Sequence, residues 1–207
     1  MKLVLASRNR GKLKELSAIL SRFSIEAVLQ SDVGFEEEVE ENGTTFEENS
    51  LMKAKAVYEA TGFAAIADDS GLMVDALNGE PGVYSARYGG DACKTDADRN
   101  AHLLETMKDV PDEQRGAKFV SVISCILPDG TVLTARGECA GMILREERGS
   151  DGFGYDPLFY VPAEQATYSE LSAQRKNEIS HRALAMEEFA RKLAEYQTSK
   201  EKEHADK

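Results

Sequence analysis

Residues 61–77 read TGFAAIADDSGLMVDAL, and this stretch decides how the rest of the chain is interpreted. An apolar run over 63–67 predicts a buried strand, which is followed at once by Asp68, Asp69, a serine and a glycine. Moving charge out of water is costly unless the charge is paired, hydrogen-bonded or bound to a metal. Two interpretations are therefore open: a polar turn, or a functional site at the end of a strand in an α/β fold.

Strand and helix patterns alternate on the N-terminal side of this stretch. Apolar runs predict strands over 2–6 and 25–29, and apolar residues at helical spacing predict a helix that opens at Gly11. A second helix precedes Gly62, which is well placed as its C-terminal stop. Its start has the signature of a capping box, formed by Thr44 or Thr45 with Glu47 or Glu48.

The C-terminal half continues the mixture of strands and helices. The pattern predicts a capped helix over 95–108, three strands within 118–144 with a hairpin turn at 128–130, and a helix over 179–196. The polar tail, 197–207, is expected to be disordered. This order of elements predicts one α/β domain with a mixed β-sheet.

Composition limits the function classes. The 207 residues include 37 acidic and 25 basic side chains, a formal net charge of −12, which disfavours binding to nucleic acid or to an anionic membrane. The three cysteines have no metal-binding spacing, and no apolar run is long enough for a membrane span. The N-terminus lacks the pattern of a signal peptide, and we expect a cytoplasmic protein.

The first strand leads through a polar loop into a helix, the general layout of a phosphate-binding site, because helix N-terminal amides attract anions. It is not a Walker loop, since an alanine and a leucine occupy two of that motif's required positions. Taken alone the segment is a weak signal, and its arginines fit a solvated surface equally well. The candidate residues are Ser7, Arg8, Asn9, Arg10, Gly11 and Lys12.

A glycine-rich stretch over 148–159 surrounds aromatic residues and a carboxylate. An aromatic ring beside a hydrogen-bonding group is one way to hold a single nucleobase, although a structural loop with Phe153 in the core is the alternative. A basic group follows near a predicted helix start, where cations oppose the helix dipole unless an anion or a base carbonyl lies between them. The candidates are Phe153, Gly154, Tyr155, Asp156, Lys176, His181 and Arg182.

Glutamates are dense over 35–42 and recur at Glu47 and Glu48. Most such runs are solvated, but one or two of these carboxylates could join Asp68 and Asp69 around a hard cation. Magnesium favours a few carboxylates together with substrate phosphates.

Five stretches, in this order, resemble the Ham1-type inosine/xanthosine triphosphate pyrophosphatases and cover the chain to about Tyr196. They are ASRNRGK, EENGTTFEENSLMKA, IADDSGLMVDALNGEPGVYSARYGG, GFGYDPLF and ELSAQRKNEISHRA. Ser7 stands where the family more often has threonine and keeps the hydroxyl. The resemblance implies a pyrophosphatase domain over 1–196, with the tail over 197–207 outside it.

The resemblance also implies a fold and an activity. The fold would be a two-lobed α/β domain with a long central mixed sheet flanked by helices, assembled as a homodimer. The activity would be Mg²⁺-dependent cleavage between the α- and β-phosphates of ITP, dITP and XTP, which yields a nucleoside monophosphate and pyrophosphate and removes these nucleotides from the pool.

Roles carry over from the resemblance residue by residue. Asp69 would be the general base and a metal neighbour, with Glu40 or Glu41 as a further metal carboxylate and Asp68 either at the metal or orienting the site. Ser7 to Lys12, Lys53 and Ser70 would hold the triphosphate. The base would be held by Phe153, Gly154, Tyr155, Asp156, Lys176, His181 and Arg182.

Three alternatives remain at this point. The same phosphate machinery could serve another base, as in the related Maf-type pyrophosphatases; the chain could be a nucleotide sensor without turnover; or it could be a protein-interaction domain with a polar turn over 68–71.

Overall fold

The computed structural model describes residues 2–205. Its strands are β1 (Lys2–Leu5), β2 (Glu26–Leu29), β3 (Ala65–Val74), β4 (Gly116–Ile126), β5 (Val132–Ile143), β6 (Phe159–Val161) and β7 (Ala166–Thr167). Its α-helices are α1 (Arg10–Arg22), α2 (Phe46–Thr61), α3 (Asp96–Thr106), α4 (Ala173–Ile179) and α5 (His181–Ala205).

All seven strands belong to one mixed sheet with the order β2-β1-β3-β4-β5-β6-β7. β1 pairs in parallel with β2 and β3, whereas β6 pairs antiparallel with β5 and β7. The parallel pairs are connected through α1 and α2, because a parallel neighbour requires a crossover connection. The predicted α/β fold with a mixed sheet is confirmed.

Helix starts and stops follow the predicted local chemistry. Asn9 caps α1 by accepting a hydrogen bond from the backbone N–H of Lys12. Thr45 and Glu48 form the capping box of α2, and Gly62 ends that helix with φ of 72°, a left-handed conformation that glycine adopts without steric cost.

Three element predictions were wrong. β3 does not stop at Ala67 but continues through the two aspartates to Val74. Residues 118–144 contain two strands, not three: most of β4, and the whole of β5, which runs unbroken through its glycines. Residues 197–205, predicted to be disordered, extend α5, since this polar segment consists of helix-compatible residues without proline or glycine. The rest of the predicted tail, 206–207, lies outside the described residues.

The chain divides into two compact units, as the two-lobed interpretation expected. The first is the described part of Met1–Asp69, Ser121–Gly137 and Arg182–Lys207. Its main core packs α1 and α5 against the first strands, and each fully buried leucine or phenylalanine there contributes about 1.5–3 kcal/mol. Members of this core include Leu3, Leu5, Leu16, Ile19, Leu20, Ile66, Met186 and Phe189.

The second unit comprises Ser70–Val120 and Glu138–His181. Its core is richer in aromatic rings, and Phe119 packs edge-on against Phe159 with ring centroids 4.7 Å apart. Across the described chain, no helix is both long enough and apolar enough to cross a membrane.

Candidate active site

Asp68 and Asp69 lie within β3, and both side chains are buried. Successive side chains of a strand point to opposite faces of its sheet. The two carboxylates therefore have different partners, and they form two groups of contacts instead of the single acidic turn that the sequence suggested.

The carboxylate of Asp68 is surrounded by hydrogen-bond donors. Lys12 Nζ lies 3.0 Å and Arg182 Nε 3.4 Å from its Oδ2, and the Ser121 hydroxyl donates to Oδ1 at 2.6 Å. Burial alone would raise the pKa of Asp68, but the two cations and the hydroxyl outweigh it and hold this pKa well below its usual range. Asp68 therefore stays ionised and fixes the ends of Lys12 and Arg182.

Arg182 was grouped with the base-binding candidates because it follows His181. Its guanidinium instead contacts Asp68, and its Nη1 donates to Glu15 Oε2 of α1 at 2.8 Å. The structure thus brings Arg182 together with the predicted phosphate-binding residues of the first unit. Sequence analysis missed Glu15 and Ser121 because neither lies in one of the motifs.

Asp69 has a different environment. Lys53 Nζ lies 3.2 Å from its Oδ1, and Asn49 Nδ2 donates to Oδ2 at 3.2 Å. Burial raises the pKa of Asp69 above its ordinary value, although Lys53 opposes that shift. A carboxylate with a raised pKa is a stronger base, which suits a residue that must take a proton from water.

Lys53 joins three acceptors of the first unit. Besides Asp69, its ammonium contacts Glu41 Oε1 at 2.7 Å and the backbone oxygen of Asp68 at 2.9 Å. Of the two glutamates left open by the sequence, Glu41 is half-buried and belongs to this group, whereas Glu40 is exposed. The contact favours Glu41 as the second carboxylate.

These contacts also test whether the residues suit a divalent cation. Asp69 and Glu41 already share one cation, the Lys53 ammonium, and two carboxylates plus substrate phosphates are the ligands that Mg²⁺ usually takes. The donor set fits. Among residues 2–205, however, no group of three or more His, Cys, Asp or Glu side chains is already assembled around a metal position. Asp68 faces its own cations, which favours its orienting role over direct metal binding.

The loop between β1 and α1 is arranged around Asn9. The backbone N–H of Asn9 donates to Ser7 Oγ at 3.2 Å, and Asn9 Oδ1 accepts from the N–H of Lys12 at 3.0 Å. Arg8 is exposed and lies 3.9 Å from Glu38, while Arg10 is the exposed first residue of α1 and Gly11 follows it. The start of α1 and the Lys12 side chain thus meet the requirements of an anion site.

In the second unit, the predicted base-binding residues form a buried ion pair. Lys176 Nζ lies 2.6 Å from Asp156 Oδ2, and the same oxygen accepts from the backbone N–H of Phe153 at 2.9 Å. The ammonium also lies 4.9 Å from the centre of the Phe153 ring. These three candidates are therefore brought together.

His181 belongs to an aromatic stack beside this pair. Its ring is nearly parallel to Phe119, at a centroid distance of 4.7 Å and an angle of 12°, and lies 6.1 Å from Tyr168. His181 is only 1% exposed. The stack fixes the imidazole in one plane.

Tyr155 is oriented inwards. It is buried, and its hydroxyl donates to the backbone oxygen of Ser85 at 2.8 Å, so its side chain supports the loop. Two residues that the sequence analysis missed also hold this loop: Asp96 and Asn100 of α3 contact Gly154. Their four-residue spacing within a predicted helix was the available signal, but nothing in the sequence linked that helix to residue 154.

Ser70 follows Asp69 on β3 and is half-buried. A triphosphate contact by its hydroxyl stays a prediction.

Comparison with known proteins places the chain in a family. The family model described as the Ham1 family matches residues 3–192. The chain is 50% identical over 186 residues to a dITP/XTP pyrophosphatase of Desulforamulus reducens, covering 90% of this chain and 92% of that protein. It is 52% identical over 194 residues to a dITP/XTP pyrophosphatase of Haemophilus ducreyi, covering 93% and 98%.

Solved structures agree with the sequence matches. The Staphylococcus aureus Ham1 protein superposes with a TM-score of 0.83 at 40% identity, over 95% of this chain and all of that one (100%). A HAM1 protein from Coxiella burnetii gives the same TM-score of 0.83 at 43% identity, over 94% and 99%. With these matches spanning both units and every motif described above, the chain belongs to the Ham1 family.

Proposed function

We propose that this chain hydrolyses non-standard purine nucleoside triphosphates, namely ITP, dITP and XTP. Water attacks the α-phosphorus, a new P–O bond forms there, and the bond from the α-phosphorus to the bridging oxygen breaks. The products are a nucleoside monophosphate, pyrophosphate and a proton. The observation that carries the proposal is the buried Asp69, whose carboxylate is held between Lys53 and Asn49 beside Glu41.

Asp69 is the general base. Its raised pKa makes it able to take the proton from the attacking water, and Asn49 holds the second carboxylate oxygen so that the first keeps its direction. Lys53 carries positive charge next to the same group and can move to a phosphate oxygen when the substrate binds. This arrangement is suited to positioning and charge stabilisation, the main contributions to phosphoryl transfer.

A divalent cation, Mg²⁺, would be held by Asp69 and Glu41. It would neutralise charge on the leaving pyrophosphate and lower the pKa of bound water. Asp68, kept ionised by Lys12 and Arg182, positions these cations and is not itself a ligand.

The triphosphate is bound by the start of α1 together with nearby side chains. Backbone N–H groups at a helix N-terminus attract anions, and Lys12 adds a cation at that end. Ser7 and Ser70 supply hydroxyls, and Arg8, Arg10 and Gly11 complete the loop.

The base is bound by the loop around Phe153, which stacks on its plane. Asp156 accepts from a ring N–H, and Lys176 and His181 lie beside it as donors for the 6-keto oxygen. Adenine carries an amino group at that position, so these donors would lose their partner. Such unpaired buried groups give selectivities of about 10⁴ or more. Guanine shares the 6-keto group, and its exclusion has no explanation in these contacts.

The active form is a homodimer in the cytoplasm. Light scattering is expected to give twice the 22.7 kDa mass of one chain. A monomer mass at micromolar concentration would contradict the dimer without affecting the reaction.

The test is hydrolysis of ITP, XTP, GTP, ATP and dTTP with Mg²⁺, with pyrophosphate and orthophosphate measured separately. Pyrophosphate from ITP and XTP, with little from GTP or ATP, is the expected result. A pyrimidine triphosphate that outcompetes ITP would favour a Maf-type substrate, and orthophosphate would mean cleavage at the γ-phosphate. Binding without turnover would favour a sensor, and no binding by calorimetry an interaction domain.

A further inference from the structure

The peptide groups around Gly154 are held on both sides by one helix of the second unit. The backbone N–H of Gly154 donates to Asp96 Oδ2 at 2.7 Å, and its carbonyl oxygen accepts from Asn100 Nδ2 at 3.2 Å. Asp96 and Asn100 are four residues apart on α3, so they lie on the same helix face. The backbone N–H and the carbonyl oxygen of Gly154 are thus each bound by a different side chain of α3.

The residue held in this way sits between Phe153 and Asp156, which the proposed function assigns to the base. Gly154 has φ of 63° and Gly152 has φ of 86°, both in the left-handed region. A side chain at Gly152 would come within 2.2 Å of Asp156 Oδ2. Position 152 therefore has no room for a side chain, and rotations of the backbone at Gly154 would displace the neighbouring ring and carboxylate.

The helix that supplies the two contacts is itself fixed. Thr95 caps α3, and the backbone N–H groups at its start are bound through a capping box with Asp98. Asn100 is buried, and its second amide proton goes to Glu147 Oε1 at 2.7 Å. Asp96 also pairs with Arg99. Neither side chain is free to rotate away from Gly154 without losing a second partner.

We propose that Asp96 and Asn100 are positioning residues for base recognition, which act by holding Gly154 so that Phe153 and Asp156 present a fixed surface to the purine. The proposal rests on the proposed function. Their contribution is to affinity and to selection of the 6-keto base, and the chemical step at Asp69 does not depend on them.

The experiment compares matched substitutions at each position. Asp96→Ala removes the acceptor for the Gly154 N–H, whereas Asp96→Asn keeps an acceptor oxygen. Asn100→Asp keeps the shape but cannot donate to the Gly154 oxygen. We expect Asp96→Ala and Asn100→Asp to raise KM for ITP about tenfold, with kcat within about twofold, and to reduce the preference for ITP over ATP. Asp96→Asn should retain wild-type KM.

Thr95→Ala provides the control for loosening of α3, since it removes the cap without touching Gly154. A KM effect as large in Thr95→Ala as in Asp96→Ala would overturn the positioning role. Substitution of the buried Asn100 carries the greater risk to folding, and the half-exposed Asp96 gives the same test with less.

Amide hydrogen exchange over 152–156 gives a readout that does not need turnover. Asp96→Ala should accelerate exchange of the Gly154 N–H at least about tenfold, and Asp96→Asn should not. Unchanged exchange in Asp96→Ala would overturn the proposal. If the wild-type chain hydrolysed no purine triphosphate, the proposed function would fail, while exchange would still decide whether α3 holds the loop.

Discussion

Asp68 and Asp69 are neighbours in the chain, yet the pKa of one is lowered and that of the other is raised. Both lose solvation, which raises a carboxyl pKa. The difference is that Asp68 lies against two cations and a hydroxyl, whereas Asp69 has one lysine that it shares with Glu41. One carboxylate is thus suited to holding cations and the other to accepting a proton.

Asp69→Asn tests the base directly. The amide keeps the size of the side chain but cannot take a proton from water, and we expect kcat on ITP to fall by a factor of about 10²–10⁴. Nucleotide binding, measured by calorimetry, should persist. Asp91→Asn, at a fully exposed carboxylate, serves as the control and should keep wild-type turnover. Wild-type turnover in Asp69→Asn would remove this residue from the mechanism.

Asp68→Asn is expected to affect stability as well as activity. Removing one partner of a buried ion pair leaves the remaining charges uncompensated, here the ammonium of Lys12 and the guanidinium of Arg182. We expect the free energy of unfolding to fall by about 3 kcal/mol, as measured by urea denaturation at pH 7. A loss below about 0.5 kcal/mol would mean that these cations are already solvated in the folded protein.

Cys125 provides a test that depends on pH. Burial raises the pKa of its thiol to about 12. Only the thiolate reacts with iodoacetamide, and its fraction at pH 8 is on the order of 10⁻⁴. We expect no labelling of Cys125 in the native protein at pH 8 and full labelling in urea, as measured by mass spectrometry. Native labelling as fast as in urea would show that this site opens to solvent.

The raised pKa of Cys125 also determines how the stability of the folded protein changes with pH. The pKa of Cys125 is raised in the folded state, so the unfolded thiol ionises first, at about pH 8.5. Its contribution to stability is therefore complete below that pH and is lost as the pH rises towards about 12.

At the scale of elements, the sequence predicted most starts and stops because these depend on local chemistry. The Thr45–Glu48 box begins α2 and Gly62 ends it, and each of these signals involves residues only three or four positions apart, since the Gly62 N–H donates to the Tyr58 oxygen. β3 was cut short because Asp, Ser and Gly disfavour strands locally, while the contacts that keep it extended come from distant residues. Lys53 and Ser121, for example, lie 15 and 53 residues away from Asp68.

The same reasoning explains the site predictions. Motifs made Asp69, Lys12 and Lys176 candidates, and their roles stay predictions. Arg182 was placed among the base-binding candidates, whereas its guanidinium contacts Asp68 and Glu15. Side chains that support others, such as Ser121 and Asn100, lie outside the motifs. Their roles become visible only when the fold places them against the residues they hold.

Beyond residue 192, where the family match ends, α5 contacts one residue of the β4–β5 hairpin through two side chains. Asp129 Oδ2 accepts from the Tyr196 hydroxyl at 2.7 Å, and Lys200 Nζ lies 3.2 Å from the same oxygen. The hydroxyl of Tyr196 above all holds the pKa of Asp129 well below its usual range. These contacts tie the helix-compatible polar segment to the hairpin.

Asp129→Ala is therefore expected to loosen the end of α5 without affecting the reaction. Amide exchange over 197–205 should accelerate at least about tenfold, because the segment loses its anchor. Turnover on ITP should stay within about twofold of wild type. Lys202→Ala, on the same segment, is the control and should leave exchange unchanged. Protection that persists in Asp129→Ala would mean that helix propensity alone maintains this end.

At the scale of the whole molecule, the distribution of charge favours binding of a small anion and disfavours binding of a large one. The chain carries a net charge of −12, and yet Lys12, Lys53 and Arg182 are concentrated around the two aspartates of β3. A nucleotide needs only such a local group of cations, because its phosphates occupy a few ångströms. A nucleic acid meets the summed field of the surface, which is repulsive here.

We therefore expect no binding to duplex DNA under conditions in which nucleotides bind. A fluorescein-labelled 20-base-pair duplex should show no change in anisotropy with about 10 µM protein at 0.15 M salt, where basic proteins with non-specific affinity begin to bind. The same protein sample should bind ITP by calorimetry, which controls for its folding. An anisotropy increase that weakens with added salt would reveal a cationic surface outside the nucleotide-binding residues, since release of counterions from the phosphates is what makes such binding salt-dependent.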